Sequence, residues 1–418
     1  MSSGGEYMRD DGLLLCDLTQ SWSETGGGVG TYLRQKRAFI EENTAHQHLL
    51  IVPGKEDRIR GTGRCKTVEI ASPPVPGSPN YRLLLRNRAV QRILGQLKPD
   101  IVESLDPYNL PWAALAHRKK YPQSAVVAGY RTDFPDAHIG SFTDRWFGRW
   151  LGRGTRRLSH RYAAALYSRF DGVYALNSNA KDRLEEMGTQ SVHILPLGVD
   201  HRKFGPAKRD PAFRYSLGVG PCEPLLVYVG RLDREKRVMT VFEAFRRLPA
   251  EMRAHLLLIG EGKCRDRLIA RADGMRVHLP GYERDRGRLA VALASSDIYV
   301  SAMPYETFGI SVIEAQAAGL PIVGVASGAM PERVAVNTGM LGPVDDPQAM
   351  ADNIAQVWRD GATAIGERGR RLVTNRFSWQ QTFDTLLDVI YPHAFSCRDA
   401  RLSSSAESRL TTFPAESI

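Results

Sequence analysis

The segment Asp297–Val325, DIYVSAMPYETFGISVIEAQAAGLPIVGV, changes its hydrophobic period twice. A short β-rich run, Ile298 to Ala302, ends at Pro304-Tyr305. From near Thr307 the apolar residues Ile310, Ile313, Ala317 and Ala318 recur at helical spacing. Gly319 stands where a helix C-terminus takes a left-handed residue, Pro321 follows, and Ile322 to Val325 reads as a second strand. Strand, helix, strand is the repeating unit of a parallel sheet, so an α/β fold is expected. Two carboxylates punctuate the unit: Glu306 in the strand-to-helix turn and Glu314 within the helix. Helical rise over that interval separates them by roughly 12 Å. They are too far apart to share a proton, but they suit an extended ligand touched at both ends. The amides of Thr307, Phe308 and Gly309 fall at the expected helix N-terminus, where a diphosphate is favoured.

The string Glu306-Thr-Phe-Gly-Ile-Ser-Val-Ile-Glu314, with Ala318-Gly319 and Pro321-Ile322-Val323 behind it, resembles the E-x7-E signature of retaining nucleotide-sugar glycosyltransferases of family 4. The resemblance implies a GT-B fold, two doubly wound Rossmann-like domains facing an interdomain cleft. It also implies that Glu306 contacts the donor sugar near the reaction centre and that Glu314 binds the ribose hydroxyls. Two isolated glutamates would simply be solvated on an amphipathic helix. The whole string in its strand–turn–helix context carries the resemblance.

At 418 residues the chain is too long for one ordinary core and fits two domains. The five cysteines are odd in number, scattered and without CxxC spacing, which favours reduced thiols in a cytoplasmic setting over a disulfide framework or zinc site. Met1 to Gly12 is polar and acidic, unlike a secretory signal, and no run reaches the length of a transmembrane helix. The net charge of +10 implies an anionic partner: nucleotide-sugar, lipid headgroup or nucleic acid. No nucleic-acid-binding motif accompanies it, so no nucleic-acid partner is expected.

In chain order, Leu13 to Leu18 reads as a strand, and Gly26-Gly27-Gly28-Val29-Gly30 precedes a helix pattern from Thr31 through Ile40. Alone, such a glycine run fits a surface turn. Beside the Glu306 region it resembles the family's N-terminal glycine loop, which faces the donor phosphates (Gly28) and the acceptor (Gly27) across the cleft. Further strands are expected at His48–Val52, Thr67–Ile70, Ile101–Ser104, Ala125–Tyr130, Gly172–Leu176 and His193–Pro196, with helices at Tyr81–Leu97 and Leu110–Lys119. Strand C-terminal ends carry ligands in such sheets, so two stand out: Glu103 to Pro107, with Asp106 on the acceptor side, and Tyr130 to Phe134, with Asp133 likewise. At the second, Arg131-Thr132 stands where many relatives carry His-Thr, and a guanidinium cannot act as a base at neutral pH. Arg131 is then a candidate for binding phosphate, carboxylate or sugar hydroxyl, and His138 a candidate for the histidine's role or a solvated bystander.

Arg145 to Phe170 interleaves seven arginines with tryptophan, phenylalanine, leucine and tyrosine, and no acid interrupts it. It reads either as a peripheral contact with an anionic membrane, resembling family members that glycosylate diacylglycerol lipids, or as a helix whose aromatic side packs inward. The Leu197-Gly198-Val199-Asp200 stretch resembles the family's interdomain junction, and Gly205 to Pro224 reads as a linker. The second domain opens with strand Leu225–Val229 and then Gly230-Arg231-Leu232-Asp233-Arg234-Glu235-Lys236. There the resemblance assigns Arg231 and Lys236 to the donor diphosphate. Strand-to-turn edges follow at Leu256–Gly260 and Val277–Gly281, and no Asp-x-Asp metal motif or cofactor motif appears. The expected domains are therefore 1–198 for the acceptor and 199–378 for the donor, with a helix at about 379–395 packing back and a disordered tail over 396–418.

These readings converge on a retaining, metal-independent hexosyltransferase using a GDP- or UDP-sugar and a lipid or glycan acceptor, in the cytoplasm or peripheral on the inner face of its membrane. A same-fold nucleotide-sugar epimerase or hydrolase, and a non-catalytic basic binding protein, remain the alternatives.

Overall fold

Runs such as Leu225–Val229 and Ala125–Tyr130, apolar at consecutive positions, need cover on both faces of a strand, which helices packed on each side of a parallel sheet supply. The computed structural model, which describes residues 12–22, 27–61, 63–75, 78–131 and 158–410, has this arrangement twice. One unit comprises Met1–Leu195 with Phe383–Ile418, the other Pro196–Thr382.

The first unit carries β1 (Leu14–Leu18), β2 (Gln47–Gly54), β3 (Arg58–Arg60), β4 (Cys65–Ala71), a hairpin of β5 (Pro74–Val75) and β6 (Ser78–Arg82), then β7 (Ile101–Ser104), β8 (Ala125–Tyr130), β9 (Gly172–Ala175) and β10 (Val192–Ile194). Its large sheet runs β10-β9-β8-β7-β1-β2-β4-β3. All neighbours are parallel except β3 and β4. The second unit carries β11 (Leu225–Val229), β12 (His255–Ile259), β13 (Val277–Gly281), β14 (Ile298–Val300), β15 (Ile322–Val325) and β16 (Gly339–Gly342), in the all-parallel order β13-β12-β11-β14-β15-β16. Chain order reverses at β1/β7 in the first sheet and at β11/β14 in the second. Open parallel sheets bind ligands at such reversals, outside the strand C-termini.

Cores follow from these runs. In the second unit Leu226, Tyr228, Leu256, Leu258, Val300 and Val323 pack against Phe242, Met350 and Ile354 from the helices. In the first, Leu18, Ile51, Val102 and Val126 meet Val90, Leu94 and Ala114.

Three expectations are corrected. The helix expected from Tyr81 begins at Asn87, because the preceding residues form β6 and Leu83 N donates to Pro73 O across the hairpin. Gly205–Pro224 is not an extended linker. It folds into the second unit as a helix, Pro211–Ser216, with Arg214 buried against Asp297 Oδ2 at 2.7 Å. The polar tail expected from Ser396 is helical through Leu410, continuing from a π-turn at Leu386–Ile390. Buried Phe383, Ile390, Tyr391 and Ala394 anchor this terminal segment, and Arg398 and Arg401 reach the Gln123 carbonyl and Asp171.

Candidate active site

The second sheet's reversal places the loop after β11 beside the loop after β14, and these are the two loops that carry the sequence candidates. Lys236 ends a 3-10 turn at Arg234–Lys236, and its Nζ lies 3.6 Å from Glu306 Oε2. Both side chains keep partial exposure, 22% and 17%. The other carboxylate oxygen, Oε1, accepts from the Gly309 amide at 3.1 Å. Gly309 has φ 84 and is the N-cap of the helix Ile310–Ala317, so the helix opens three residues later than the spacing suggested. Thr307 and Phe308 therefore lie in the loop before the helix, and the Gly309 N–H is occupied by Glu306.

Arg231 leaves the end of β11 and is held by two acids, Asp233 Oδ2 and Glu235 Oε1, each at 2.6 Å. Its side chain remains 44% exposed, so an incoming diphosphate competes with carboxylates for a solvated guanidinium. Beneath these groups the Tyr228 hydroxyl donates to the Arg231 carbonyl at 2.9 Å. Burial, then the charges of Tyr299 and Glu306, push that phenol well up, while Arg231 pulls it down. Tyr299 on β14 is buried and feels the charges of both Glu306 and Glu314, and its hydroxyl donates to Ser311 Oγ at 2.8 Å. Arg231 and Glu306 thus bear on Tyr228, Glu306 and Glu314 on Tyr299, and Lys236 pairs with Glu306.

Glu314 is not solvated. It is 4% exposed and its Oε1 accepts a hydrogen bond from Arg286, the first residue of the helix Arg286–Ala294. Burial raises the Glu314 carboxyl above its usual range, and Arg286 opposes the shift.

Several supporting residues were not singled out from sequence. The turn after β15 lies against the Glu306 loop because β15 pairs with β14. Ser327 Oγ donates to the Pro304 carbonyl at 2.7 Å, and Ala329 N donates to the Glu306 carbonyl at 2.7 Å. Gly328 has φ +60, and a Cβ there would meet Glu306 O at 2.6 Å. Buried Arg333 donates from Nε to the Phe308 carbonyl at 2.9 Å and lies 4.2 Å from that ring's centroid. Desolvation lowers its guanidinium to about 10. The only sequence hint was Ser-Gly after a predicted strand, an ordinary turn signal.

In the first unit the expected ligand groups turn inward. Arg131 is 6% exposed, lies 4.0 Å from the Tyr32 ring centroid, and donates to the Tyr174 hydroxyl at 3.1 Å. Burial disfavours its charge, and the neighbouring Tyr174, Tyr32 and Glu103 more than restore it. Here Arg131 completes a buried network rather than presenting itself at the edge. Glu103 accepts from Tyr174 at 2.6 Å, Tyr391 at 2.6 Å and Tyr32 at 3.1 Å, and pairs with Lys36 at 2.8 Å. Lys36 also meets Asp17 at 2.7 Å, and Asp17 meets His48 at 2.7 Å. Asp106 is buried too. It accepts from the Gln20 amide and the Ser21 hydroxyl, which makes it a clamp on the loop after β1. Gly27, with φ 102, is the N-cap of the helix Gly28–Asn43, and both glycines are exposed there. Asp133, His138 and most of Arg145–Phe170 lie outside the described residues.

Among the described residues no group of three or more His, Cys, Asp or Glu side chains gathers to hold a metal ion, and no helix is long and apolar enough to cross a membrane.

Comparison with known proteins bears on the family and the fold. The family model described as Glycosyltransferase Family 4 matches residues 26–203, and that described as Glycosyl transferases group 1 matches residues 223–360. The chain is 28% identical over 366 residues to a GDP-mannose-dependent alpha-(1-6)-phosphatidylinositol dimannoside mannosyltransferase of Mycobacterium tuberculosis, covering 85% of this chain and 90% of the relative. A GDP-mannose-dependent alpha-mannosyltransferase of Corynebacterium glutamicum is 27% identical over 315 residues, covering 74% and 72%. Among solved structures, sucrose-phosphate synthase of Thermosynechococcus elongatus superposes with a TM-score of 0.75 at 20% identity, over 92% of this chain and 99% of that one. Two Rossmann-like units with these loops define a GT-B glycosyltransferase. The chain belongs to glycosyltransferase family 4.

Proposed function

We propose that the protein moves mannose from GDP-mannose to a hydroxyl of a membrane glycolipid, with retention at the anomeric carbon and without a metal ion. The observation that carries the reading is the Lys236–Glu306 contact at the β11/β14 reversal, with Glu314 buried one helix further on. The donor and acceptor are those printed in the name of the M. tuberculosis relative, 90% of which the chain covers.

Each side chain then has a task. Lys236 and Arg231 meet the diphosphate and stabilise the charge that grows as the anomeric carbon–oxygen bond breaks, the place where preorganised electrostatics contribute most. In this reading they supply the positive charge that a metal ion supplies elsewhere. Glu306, held by the Gly309 amide, orients the sugar, and Glu314 grips the ribose. The acceptor oxygen forms the new bond on the face the diphosphate leaves, and its proton passes to a leaving phosphate oxygen. No protein base is used.

The lipid acceptor accords with exposed Tyr108, Trp112 and Leu158 near the arginine-rich segment, where the Arg169 guanidinium lies 5.2 Å from the Trp112 ring centroid. Replacing Arg149, Arg153, Arg156 and Arg157 with serine is expected to release the protein from anionic liposomes in sedimentation. Unchanged sedimentation would sink membrane contact by this segment.

Function is tested by nucleotide release from GDP-mannose, UDP-glucose and UDP-galactose, with and without bacterial lipid extract and with EDTA, for wild type and Glu306→Ala. Release from GDP-mannose, stimulated by lipid, indifferent to EDTA and lost in the variant, is the expected result. Lipid-indifferent release with free sugar appearing would instead identify a hydrolase.

A further inference from the structure

The motif glutamate Glu314 has an unexpected companion. Its Oε1 accepts from Arg286, while Oε2 has no hydrogen-bond partner among the described residues. A carboxylate so deeply placed tends to take up a proton unless a partner holds its charge. Arg286 does so from the start of a neighbouring helix. That helix is itself fixed, because its N-cap Asp285 accepts from the Gly287 amide at 2.7 Å and the Arg288 amide at 3.3 Å. The guanidinium lies 4.8 Å from the ring centroid of Phe204, which is 1% exposed, so a rigid aromatic face backs it. Its side chain is nonetheless 39% exposed, so the arginine end of the pair reaches the surface of the second unit while the acid lies beneath it at 5%.

We propose that Arg286 is a positioning residue for nucleoside recognition: by occupying Oε1 of Glu314 it leaves Oε2 ionised and aimed at the ribose hydroxyls of the donor. This rests on the reading of Glu314 as the ribose-binding carboxylate and extends it to a residue outside the motif. The chemistry explains why one oxygen meets a donor and the other does not. A carboxylate bound on both oxygens by one guanidinium would have less capacity left for a diol. One left with neither would lie buried without compensation, a costly state. Arginine suits the task because its planar head both lies over the Phe204 ring and points a fixed N–H at the acid.

The ligand class follows: a ribonucleotide, distinguished from its deoxy counterparts by hydroxyl donation to Oε2. Hydrogen bonds to a charged group are each worth about ten- to a hundredfold in affinity.

The test compares GDP with 2′,3′-dideoxy-GDP, binding to the full chain measured by calorimetry for wild type, Arg286→Ala, Arg286→Lys and Glu314→Ala. Melting temperature monitors folding of each. Wild type is expected to prefer GDP by about tenfold or more, and Glu314→Ala to lose that preference. Arg286→Ala is expected to lose most of the preference while still binding dideoxy-GDP as wild type does, and Arg286→Lys to recover part of it. A merely structural arginine would weaken both ligands alike. An Arg286→Ala protein that keeps the full preference overturns the proposal, while Glu314 keeps its role. If Glu314→Ala also keeps it, the reading of Glu314 as the ribose residue falls, and the proposal with it.

Discussion

At the scale of single residues, the reactive end of the site is built from short contacts that are individually replaceable. Lys236 faces Glu306 at 3.6 Å and also reaches Met303 Sδ at 2.7 Å, so its ammonium is held at one spot before any ligand arrives. Lys236→Met is expected to lower kcat by about 10²–10³-fold, the usual cost of removing one electrostatic contact to a leaving group. Steady-state turnover of the proposed donor, GDP-mannose, measures this, and a loss confined to KM would show that Lys236 only binds. Gly328 makes a second prediction of another kind. It has no side chain, and a Cβ there would lie 2.6 Å from the Glu306 carbonyl and 2.9 Å from its amide nitrogen, in backbone with φ +60. Gly328→Ala is expected to cost about 1–3 kcal/mol in strain and to push the Glu306 loop out of register. Activity should fall tenfold or more while the protein still folds, by near-UV circular dichroism and turnover measured together. The motif glutamates and Lys236 are legible in the sequence because the E-x7-E string and the turn after β11 resemble the family's signature, whereas period alone shows only that a strand, a turn and a helix lie there. Arg286, Ser327, Gly328 and Arg333 are not. Their importance depends on which strands lie side by side, and nothing in the run SGAMPER states that β15 neighbours β14.

At the scale of elements, strands were the most readable part of the chain. Ile101–Ser104, Ala125–Tyr130, Leu225–Val229 and Ile322–Val325 have the limits that their apolar runs predict. A buried parallel strand leaves little else for such a run to be. Helix ends were less readable, as the late start at Ile310 shows, because a left-handed Gly309 cap is invisible to hydrophobic period. The terminal helix is hidden for a related reason: its serines look like a tail until Tyr391 meets Glu103 on β7 and Arg401 meets Asp171 just before β9. Lys36 is the clearest case. In the polar-looking run RQKRA it reads as a solvated helix face, yet it is 1% exposed between Asp17, Glu103 and the Tyr391 hydroxyl. Lys36→Met would leave two buried carboxylates without their cation and is expected to destabilise the first unit by about 3–5 kcal/mol. Tyr391→Phe, removing one hydroxyl from the same network, should cost about 1–3 kcal/mol. Urea unfolding followed by fluorescence separates the two. Equal effects would mean that the charge balance of the network contributes little.

At the scale of the whole molecule, the chain leaves its first unit at Leu195 and returns to it at Phe383, so that unit closes only when its last segment arrives. The ring of Phe383 lies 5.8 Å from that of Tyr32 and 5.1 Å from that of Phe39, and Tyr391 completes the network around Lys36. The same unit holds a set of groups whose ionisation links its stability to pH. Burial holds the His117 imidazole down at about 4 and lowers His48 as well, despite the hydrogen bond that His48 makes to Asp17. A histidine depressed on folding binds its proton more readily in the unfolded chain, so stability is full above pH 6.5 and is lost as pH falls toward 4. Asp17 works in a lower window. Burial pushes its carboxyl up, but the Lys36 ammonium and the hydrogen bond with His48 outweigh this and hold it at about 2. Its contribution is present above the ordinary value of 3.8 and disappears as pH falls through about 2. The first unit should therefore weaken in two steps, one between pH 6.5 and 4 and another below 3.8. Calorimetric melting across this range tests the windows, with His117→Phe as the control that removes a titrating ring while filling its site. A smaller fall in melting temperature between pH 7 and pH 4.5 in that variant is expected. An unchanged fall would transfer the first window to His48 and the remaining histidines, because the Asp17 window lies too low to contribute there.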